Sequence, residues 1–274
     1  RRASAKARRV QLMHGAGKNM NKKNEALRCI VVGKQSSEIT WLLRKHGLRL
    51  VNKNPDYIVA YGGDGSVLYA QRTFPGVPIL CLRSSELCPE CKVNKFQEIK
   101  LCKRTTRPFY CKDSLDDCVR RFRERKFELV SFNKLEAYVE KMHKKKTKYA
   151  LNEVQLRNAN VLQAARFDVL VNEEPIQRHV VADGLVVASP YGSTAYFYAI
   201  TRKKFKKGLG VAFNNPMQQL KPLFLKQDAT VRIIARRNAL ALFDNDFETI
   251  HLLPGEHVDI RLSKQKAEFV KLLT

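Results

Sequence analysis

The chain has 274 residues, of which 44% are hydrophobic, and this content suits one large or two ordinary globular domains and excludes a wholly disordered protein. Fifty-one Lys and Arg against 26 Asp and Glu leave a net charge of +25, which attracts polyanions such as nucleic acid, anionic membranes or nucleotides without deciding among them. No apolar run approaches the roughly 18 residues that cross a bilayer, and seven scattered cysteines favour free thiols over a disulfide scaffold.

The first 24 residues contain eight basic residues and no acidic one. This composition favours a basic, solvated extension, and an organelle transit peptide is the alternative. We therefore expect a cytoplasmic protein, or a protein of an organelle matrix if residues 1–24 are the remnant of a transit peptide.

Residues 25–122 alternate between short apolar runs and segments with helical periodicity. The runs at 27–32, 48–51, 57–61 and 77–82 predict strands, and the segments at 36–46, 66–74 and 114–122 predict helices. Strands separated by helices predict an α/β domain, in which a parallel sheet has flanking helices.

From residue 123 onward, short β-rich runs follow one another, separated by Lys-rich, Asn/Asp or Pro-Gly turns. The runs FELVSF, LEAYVEK, KYALNEVQL, FDVLVN, GLVVAS, GLGVAF, ATVRIIAR, LALFD, HVDIRL and AEFVKLL are read as strands. This spacing predicts a β-rich, sandwich-like second domain at 123–274, whose final strand is a candidate to return to the first domain.

The stretch YGGDGSVLYA leads from a predicted strand through three glycines into a predicted helix. Gly62, Gly63 and Gly65 let the backbone approach an anion, and the helix N-terminus is positive, which together favour a phosphate site. A carboxylate repels phosphate, so Asp64 fits a proton acceptor or a metal ligand better. A tight turn explains the glycines equally well.

Two later stretches add polar groups. In ALNEVQL, Asn152 and Glu153 are predicted to lie side by side in an apolar strand, where their burial costs a few kcal/mol without partners. A ribose diol would supply partners, and a structural Asn beside a surface Glu is the simpler alternative. In ADGLVVASPYGSTAYFYA, Asp183 precedes a buried strand, and Ser193 or Thr194 is predicted to cap a helix that starts at Ala195.

These three stretches, in this order and spacing, resemble the NAD kinase family, within the wider group that includes diacylglycerol and sphingosine kinases. LKPLFL, LFDND and LLPGEHVDIRLS extend the resemblance to the end of the chain. It implies an α/β nucleotide-binding domain at 25–122, a β-rich NAD-binding domain at 123–274 and a site between them. It also implies transfer of a phosphoryl group from ATP or polyphosphate to the 2′-hydroxyl of the adenosine ribose of NAD, with Mg²⁺ accompanying ATP.

The resemblance also assigns roles to residues. Asp64 would deprotonate the ribose hydroxyl, and Gly63 and Gly65 would contact the nucleotide. Asp183 would lie near the nicotinamide riboside. The remaining dinucleotide contacts would come from Asn152, Glu153, Ser193, Thr194, Ala195 and Tyr196. A homodimer or homotetramer is expected, with no membrane partner.

Two segments depart from the family pattern. The glycine loop NxGxLGF is replaced by LRSSELCPECKVNKF at 82–96, and the GG that follows GSTAY is replaced by ITRKKFKKGLG. Four cysteines near this segment are candidate ligands of a structural zinc, but free thiols are favoured because no second CxxC is present. The cysteines concerned are Cys88, Cys91, Cys102 and Cys111.

Two other functions are alternatives to NAD phosphorylation. A lipid or sphingoid-base kinase keeps the same superfamily, but NEV and GSTAY fit the NAD branch better. A basic nucleic-acid-binding protein on a degenerate kinase would explain the charge. It is less favoured, because the aromatic residues form no stacking pattern on a basic strand face.

Overall fold

The structure is a computed structural model that describes residues 25–33, 36–83, 109–110, 115–141 and 144–273. Its first part is a parallel sheet in the order β2-β1-β3-β4-β5, with three helices. The strands are β1 (Arg28–Val32), β2 (Arg49–Leu50), β3 (Tyr57–Tyr61), β4 (Ile79–Leu82) and β5 (Phe109–Tyr110). The helices are α1 (Ser36–Lys45), α2 (Asp64–Thr73) and α3 (Leu115–Arg123).

The central strands of this sheet are apolar throughout because helices cover both of their faces. Helices α1 and α3 pack on one face, where Ile39, Leu43 and Phe122 are buried. Helix α2 packs on the other face through Val67 and Ala70. The predicted parallel sheet with flanking helices is confirmed. Helix α2 begins at Asp64, two residues earlier than predicted, because Gly63 rather than a polar residue precedes its first turn.

The rest of the described chain is rich in strands. These are β6 (Phe127–Lys141), β7 (Lys144–Ala150), β8 (Glu153–Asn158), β9 (Ala165–Val171), β10 (Glu174–Ala182), β11 (Gly184–Ala188), β12 (Leu209–Asn214), β13 (Leu223–Leu225), β14 (Thr230–Ala235), β15 (Ala239–Phe243), β16 (Ile250–Leu252) and β17 (His257–Leu272). A short helix, α4 (Tyr196–Thr201), lies between β11 and β12.

These strands form two packed sheets. One has the order β13-β12-β11-β8-β15-β16, and the other contains β6, β7, β9, β10, β14 and β17. Side chains from both sheets, such as Leu156, Val187, Phe167 and Ile233, fill one core between them. The predicted sandwich-like region is therefore confirmed.

Strands β6 and β17 pair along almost their whole length, with a register shift between Leu262 and Lys266. The first half of β17 also pairs with β14, whereas Phe269 in its second half pairs in parallel with Ile79 of β4. One strand therefore belongs to the sandwich at its start and to the sheet of the first part at its end.

Three predicted strand boundaries were wrong. FELVSF and LEAYVEK form the single strand β6, and HVDIRL and AEFVKLL form the single strand β17. The run KYALNEVQL is split into β7 and β8 by a turn at Leu151 and Asn152. Strand β10 was not predicted because most of its residues are exposed and lack apolar alternation.

Candidate active site

Asp64 lies at the start of α2, directly after the carboxyl end of β3. Gly62 has φ 146°, and a Cβ there would lie 2.6 Å from Ser66 Oγ. Gly63 is the N-cap residue of α2, in an extended conformation. The glycines thus permit a sharp exit from the strand that aims the first helical turn at the sheet edge.

Arg83 follows β4 and faces Asp64. Because Tyr61 pairs with Leu82, the two residues emerge from neighbouring parallel strands at the same edge of the sheet. Arg83 Nη2 donates to Asp64 Oδ1 at 3.2 Å. The Arg83 side chain is 12% exposed and that of Asp64 is 42% exposed. Ligands of open α/β sheets bind at the carboxyl ends of the strands. The partly exposed carboxylate of Asp64 therefore lies where a ligand is expected.

Asn152 and Glu153 lie at a turn held by one carboxylate. Asp244 accepts hydrogen bonds from the backbone amides of Leu151 at 2.6 Å, Asn152 at 2.8 Å and Glu153 at 3.1 Å. Both predicted site residues are buried. The prediction that the two share a strand was wrong for Asn152, because these three amides bond to a side chain instead of to a neighbouring strand.

The turn around Gly192 is fastened to the Asn152 turn. Ser189 Oγ donates to the carbonyl of Leu151 at 2.5 Å and accepts from the amide of Gly192 at 3.1 Å. The backbones approach so closely that a Cβ on Gly192 would lie 2.0 Å from the carbonyl oxygen of Asn152. Only glycine fits at this contact.

The remaining residues of the predicted GSTAY contact follow this turn. Gly192–Thr194 form a 3₁₀ turn, and α4 begins at Tyr196 with Ala195 as its N-cap. The predicted helix start at Ala195 with a Ser193 or Thr194 cap was wrong, since no side chain caps α4. Ser193 is buried. Thr194 Oγ1 is also buried and has no hydrogen-bond partner among the described residues, so a ligand group could satisfy it.

A row of polar side chains runs along β8. Gln155 Nε2 donates to Glu153 Oε1 at 3.4 Å, and Arg157 Nε donates to Gln155 Oε1 at 3.2 Å. Arg157 Nη2 donates to the hydroxyl of Tyr196 at 3.0 Å. Residues two apart share one face of a strand, so this row forms a continuous polar surface.

Asp183 lies at the far end of this surface. Ala188 pairs with Glu153, whereas Gly184 pairs with Arg157, four residues along the strands. That separation is about 13 Å at ~3.3 Å per residue. Asp183 is exposed, and Asn215 Nδ2 donates to it at 3.2 Å. The structure therefore spreads these predicted contacts along a line and does not gather them around one point, which suits an extended ligand.

The loop after β15 connects this surface to α2. Asn245 Nδ2 donates to the carbonyl of Gly65 at 3.3 Å, and Arg72 donates to Asn245 Oδ1 at 3.0 Å. Leu151 also packs in the same hydrophobic cluster as Val67 of α2. The three sequence stretches singled out above thus meet on one side of the molecule.

A buried lysine lies near the Asp244 turn. Lys134 of β6 is 3% exposed. Burial lowers its pKa, and the charge of Asp244 opposes part of that change. Lys134 and Asp244 interact through space, so the carboxylate has a positive neighbour in addition to its three amide donors.

Sequence reasoning missed three residues of this arrangement: Arg83, Asp244 and Asn245. Arg83 is the first residue after a predicted strand and follows the rule that polar groups at carboxyl strand ends meet. The position of Arg83 at a strand end was therefore the one signal in the sequence that could have identified it as a site residue. Asp244 and Asn245 belong to the LFDND stretch of the resemblance, but their partners are far away in sequence, and only the fold reveals those contacts.

The described part of the chain contains no group of three or more His, Cys, Asp or Glu side chains able to hold a metal. Cys88, Cys91, Cys102 and Cys111 lie outside the described residues, so the zinc hypothesis stays a prediction. Among the helices that are described, none has the length and apolar character to span a membrane.

Comparison with known proteins shows what the chain is similar to. Residues 151–272 match the model of the ATP-NAD kinase C-terminal domain. The Bifunctional NADP phosphatase/NAD kinase of Methanocaldococcus jannaschii is 32% identical over 143 residues, covering 51% of this chain and 22% of that protein. NAD kinase 2 of Bacillus subtilis is 24% identical over 251 residues, covering 87% of each chain.

Solved structures share the fold. The yeast NADH kinase, solved with NADH, superposes with a TM-score of 0.72 at 14% identity, covering 92% of this chain and 85% of that one. The NAD kinase of Archaeoglobus fulgidus, solved with ATP, gives a TM-score of 0.65 at 17% identity, covering 89% and 93%. The chain is therefore similar to NAD kinases in the sequence of its C-terminal part and in its overall fold.

Proposed function

We propose that the protein is an NAD kinase that transfers the terminal phosphoryl group of ATP to the 2′-hydroxyl of the adenosine ribose of NAD and forms NADP. The observation that carries the proposal is the position of Asp64, at the sheet edge where α2 begins and in contact with Arg83. Relatives named as NAD kinases, and a kinase of this fold solved with ATP, support the choice of substrates.

In this proposal Asp64 accepts the proton of the ribose hydroxyl as that oxygen attacks the terminal phosphorus. The new bond joins the 2′-oxygen to phosphorus, and the bond to the bridging oxygen of ATP breaks, so ADP leaves with the electron pair. Phosphoryl transfer needs positioning and charge stabilisation more than covalent help from the protein. The fixed turns at Asn152 and Gly192 would position the dinucleotide.

The side chains present fit a metal that arrives with the donor. Mg²⁺ is usually held by one or two carboxylates, several waters and substrate phosphates. Asp64 offers a carboxylate at this edge, and the described residues contain no cluster of three or more metal-binding side chains. Mg²⁺ bound mainly by the phosphates of ATP, with Asp64 nearby, would neutralise phosphate charge.

The dinucleotide would lie along the row on β8. The Asn152 and Glu153 turn would contact one end, and Asp183 with Tyr196 would contact the nicotinamide end. Gly63, Gly65 and Ala195 would offer backbone contacts, and the hydroxyls of Ser193 and Thr194 would offer polar ones. The orphaned Oγ1 of Thr194 is the observation that supports a ligand at this turn.

A single assay tests the function. Purified protein is incubated with Mg²⁺, ATP and NAD, and NADP is measured with an NADP-specific dehydrogenase. Asp64→Asn is expected to lower kcat by about 10²–10⁴-fold, as expected for loss of a general base. Asp56→Asn is the matched control, because Asp56 lies at the opposite edge of the sheet in an exposed ion pair with Arg28.

Other outcomes would reassign the protein. No NADP with either ATP or polyphosphate, together with phosphorylation of diacylglycerol or a sphingoid base, would make it a lipid kinase. No kinase activity but salt-sensitive binding of nucleic acid would favour a binding protein. Equal activity of Asp64→Asn and wild type would remove Asp64 from the proposal.

Location and assembly are also proposals. The cytoplasm is proposed, or an organelle matrix if residues 1–24 are a transit-peptide remnant, and a homodimer or homotetramer is proposed from the resemblance to the family. Light scattering coupled to gel filtration tests the assembly, and a monomeric mass for the active enzyme would contradict it.

A further inference from the structure

The contact between Arg83 and Asp64 is not explained by the motifs that identify the family. Arg83 lies in the segment at 82–96 where the sequence departs from the NAD kinase pattern, so the motif comparison assigns it no role. Its side chain is only 12% exposed. Removing a cation from water is unfavourable unless an anion compensates, so a largely buried arginine at this edge needs a negatively charged partner.

The backbone fixes the position of Arg83. Its amide donates to the carbonyl of Tyr110 at 2.8 Å, in the ladder between β4 and β5. The preceding Leu82 accepts the amide of Gly62 at 2.8 Å, in the ladder toward β3. The guanidinium is therefore carried by a strand end that is paired on both sides.

The proposed reaction brings a second anion to the same place. The attacking hydroxyl must be within roughly 3 Å of Asp64 to give up its proton, and within about 3.5 Å of the phosphorus it attacks. The oxygens of the phosphoryl group therefore come close to a guanidinium that touches Asp64. When Asp64 takes the proton its charge is lost, while negative charge stays on the phosphoryl oxygens.

We infer that Arg83 is a further catalytic residue, whose guanidinium holds Asp64 before the reaction and binds oxygens of the transferring phosphoryl group as the proton moves to Asp64. This inference rests on the proposed NAD kinase function. The planar guanidinium suits phosphate better than an ammonium does, because its N–H groups can bind two oxygens at once. The proton still moves to Asp64, the phosphoryl group moves to the 2′-oxygen and ADP leaves. Arg83 gives up and accepts no atoms.

Variants of Arg83 test the inference in the full chain. Arg83→Gln should lower kcat by about 10²–10³-fold, the loss typical of one transition-state donor, with KM for NAD within threefold of wild type. Arg83→Lys keeps the positive charge but loses the planar group that binds two oxygens at once, and it should lower kcat at least tenfold. Guanidinium ion at millimolar concentration should restore part of the activity of Arg83→Ala.

The matched control is Arg28→Gln. Arg28 also forms an ion pair with an aspartate, Asp56 at 2.8 Å, but at the opposite edge of the same sheet. Its kcat should equal that of wild type. Thermal melting of each variant and calorimetric titration with NAD show whether folding and NAD binding survive.

The outcomes separate this inference from the proposed function. If wild type forms NADP while Arg83→Gln and Arg83→Lys keep wild-type kcat, Arg83 has no catalytic role and the function stands. A loss of NAD binding in folded Arg83→Lys, with kcat retained at saturating NAD, would also overturn it. If wild type forms no NADP, the proposed function itself fails.

Discussion

Individual residues hold the candidate site together through backbone contacts. The carbonyl of Asn152 lies against Gly192, and the carboxylate of Asp244 gathers the amides of Leu151, Asn152 and Glu153. Neither contact uses a side chain that would touch the reacting atoms. Substitutions there should therefore change the binding of the dinucleotide more than the chemical step.

Gly192→Ala should separate the two turns. Its Cβ would lie 2.0 Å from the carbonyl oxygen of Asn152, far inside a normal contact, so one turn has to shift. We expect KM for NAD to rise at least tenfold, because the polar groups of the site move by an ångström or more. Gly255→Ala is the control for backbone strain without a clash, since Gly255 has φ 90° but its Cβ would meet no atom within 4 Å. Equal KM values in the two variants would contradict this interpretation.

Asp244→Asn should weaken the turn at Asn152. An amide offers one acceptor oxygen where the carboxylate offers two, so at least one of three backbone amides loses its partner. The expected cost is about 1–3 kcal/mol in the free energy of unfolding. Urea unfolding measures it, and a calorimetric titration should also show weaker NAD binding. A variant as stable as wild type would show that water replaces the carboxylate.

The sequence allowed some of these residues to be predicted and not others. Asp64 stands among glycines between a strand and a helix, and that local pattern sufficed. Asp244 acts on an amide 92 residues away, and no local pattern reveals such a partner. Asn152 was assigned to a strand because its neighbours are apolar, but the hydrogen bonds to Asp244 override that preference.

At the scale of elements, strand ends are fixed by charged groups as well as by ladders. Asp168 of β9 accepts hydrogen bonds from the backbone amide of His179 at 2.8 Å and from Arg236 Nε at 3.0 Å. His179 has φ 53° and sits at a register shift between β9 and β10. This carboxylate therefore connects β10 to the end of β14.

The same carboxylate should make stability depend on pH. Burial raises the pKa of Asp168, but the hydrogen bonds from Arg236 and His179 outweigh burial and lower it below 3.8. A carboxyl group with a lowered pKa stabilises the folded state above its unfolded pKa, and this contribution is lost as pH falls through the folded pKa. We expect the melting temperature to fall steeply between about pH 5 and pH 3.

Asp168→Asn tests whether this carboxylate causes the pH dependence of the melting temperature. Arg236 is 45% exposed, so removing the charge of Asp168 should cost only about 1–3 kcal/mol at pH 7, and the difference from wild type should shrink as pH approaches 3. Glu174→Gln at the exposed start of β10 is the control. If the difference between wild type and Asp168→Asn is constant with pH, the ion pair is not the source.

The patterns of individual elements explain why their boundaries were partly predictable. The buried strands β3 and β4 are short, apolar and bounded by polar turns, so their class was evident. The sequence NK, which separates FELVSF from LEAYVEK, resembles a turn, yet β6 passes through it because β17 pairs on both sides of that point. Pairing with the distant strand β17 therefore makes β6 continuous, whereas the local sequence fits either a turn or a strand at this point.

At the scale of the whole molecule, β6 and β17 join the parallel sheet to the sandwich. Phe269 of β17 is fully buried and stacks on Tyr191, with ring centroids 5.0 Å apart. It also contacts Phe132 of β6 edge to face, at 5.7 Å. Tyr191 directly precedes the Gly192 turn, so this aromatic cluster holds one turn of the candidate site in place.

Phe269→Ala should lower the stability of both parts at once. Loss of a buried phenylalanine costs about 3–5 kcal/mol, which corresponds to a fall of very roughly 10 °C in melting temperature for a chain of this size. Phe247→Ala is the control, because Phe247 is 97% exposed. Unfolding followed by calorimetry should show one transition. Two separate transitions, or equal stability of the two variants, would contradict the joining role of β17.

The continuous ladder of β6 and β17 has a consequence for how substrates enter. A hinge motion within these two long strands would break several backbone hydrogen bonds, so we expect the two parts not to move apart and close again when a ligand binds. We therefore expect the polar surface along β8 to keep its shape when a ligand binds. Rigid inhibitors that copy this shape would need no induced closure, and their affinity would follow from how well they match a surface that is already there.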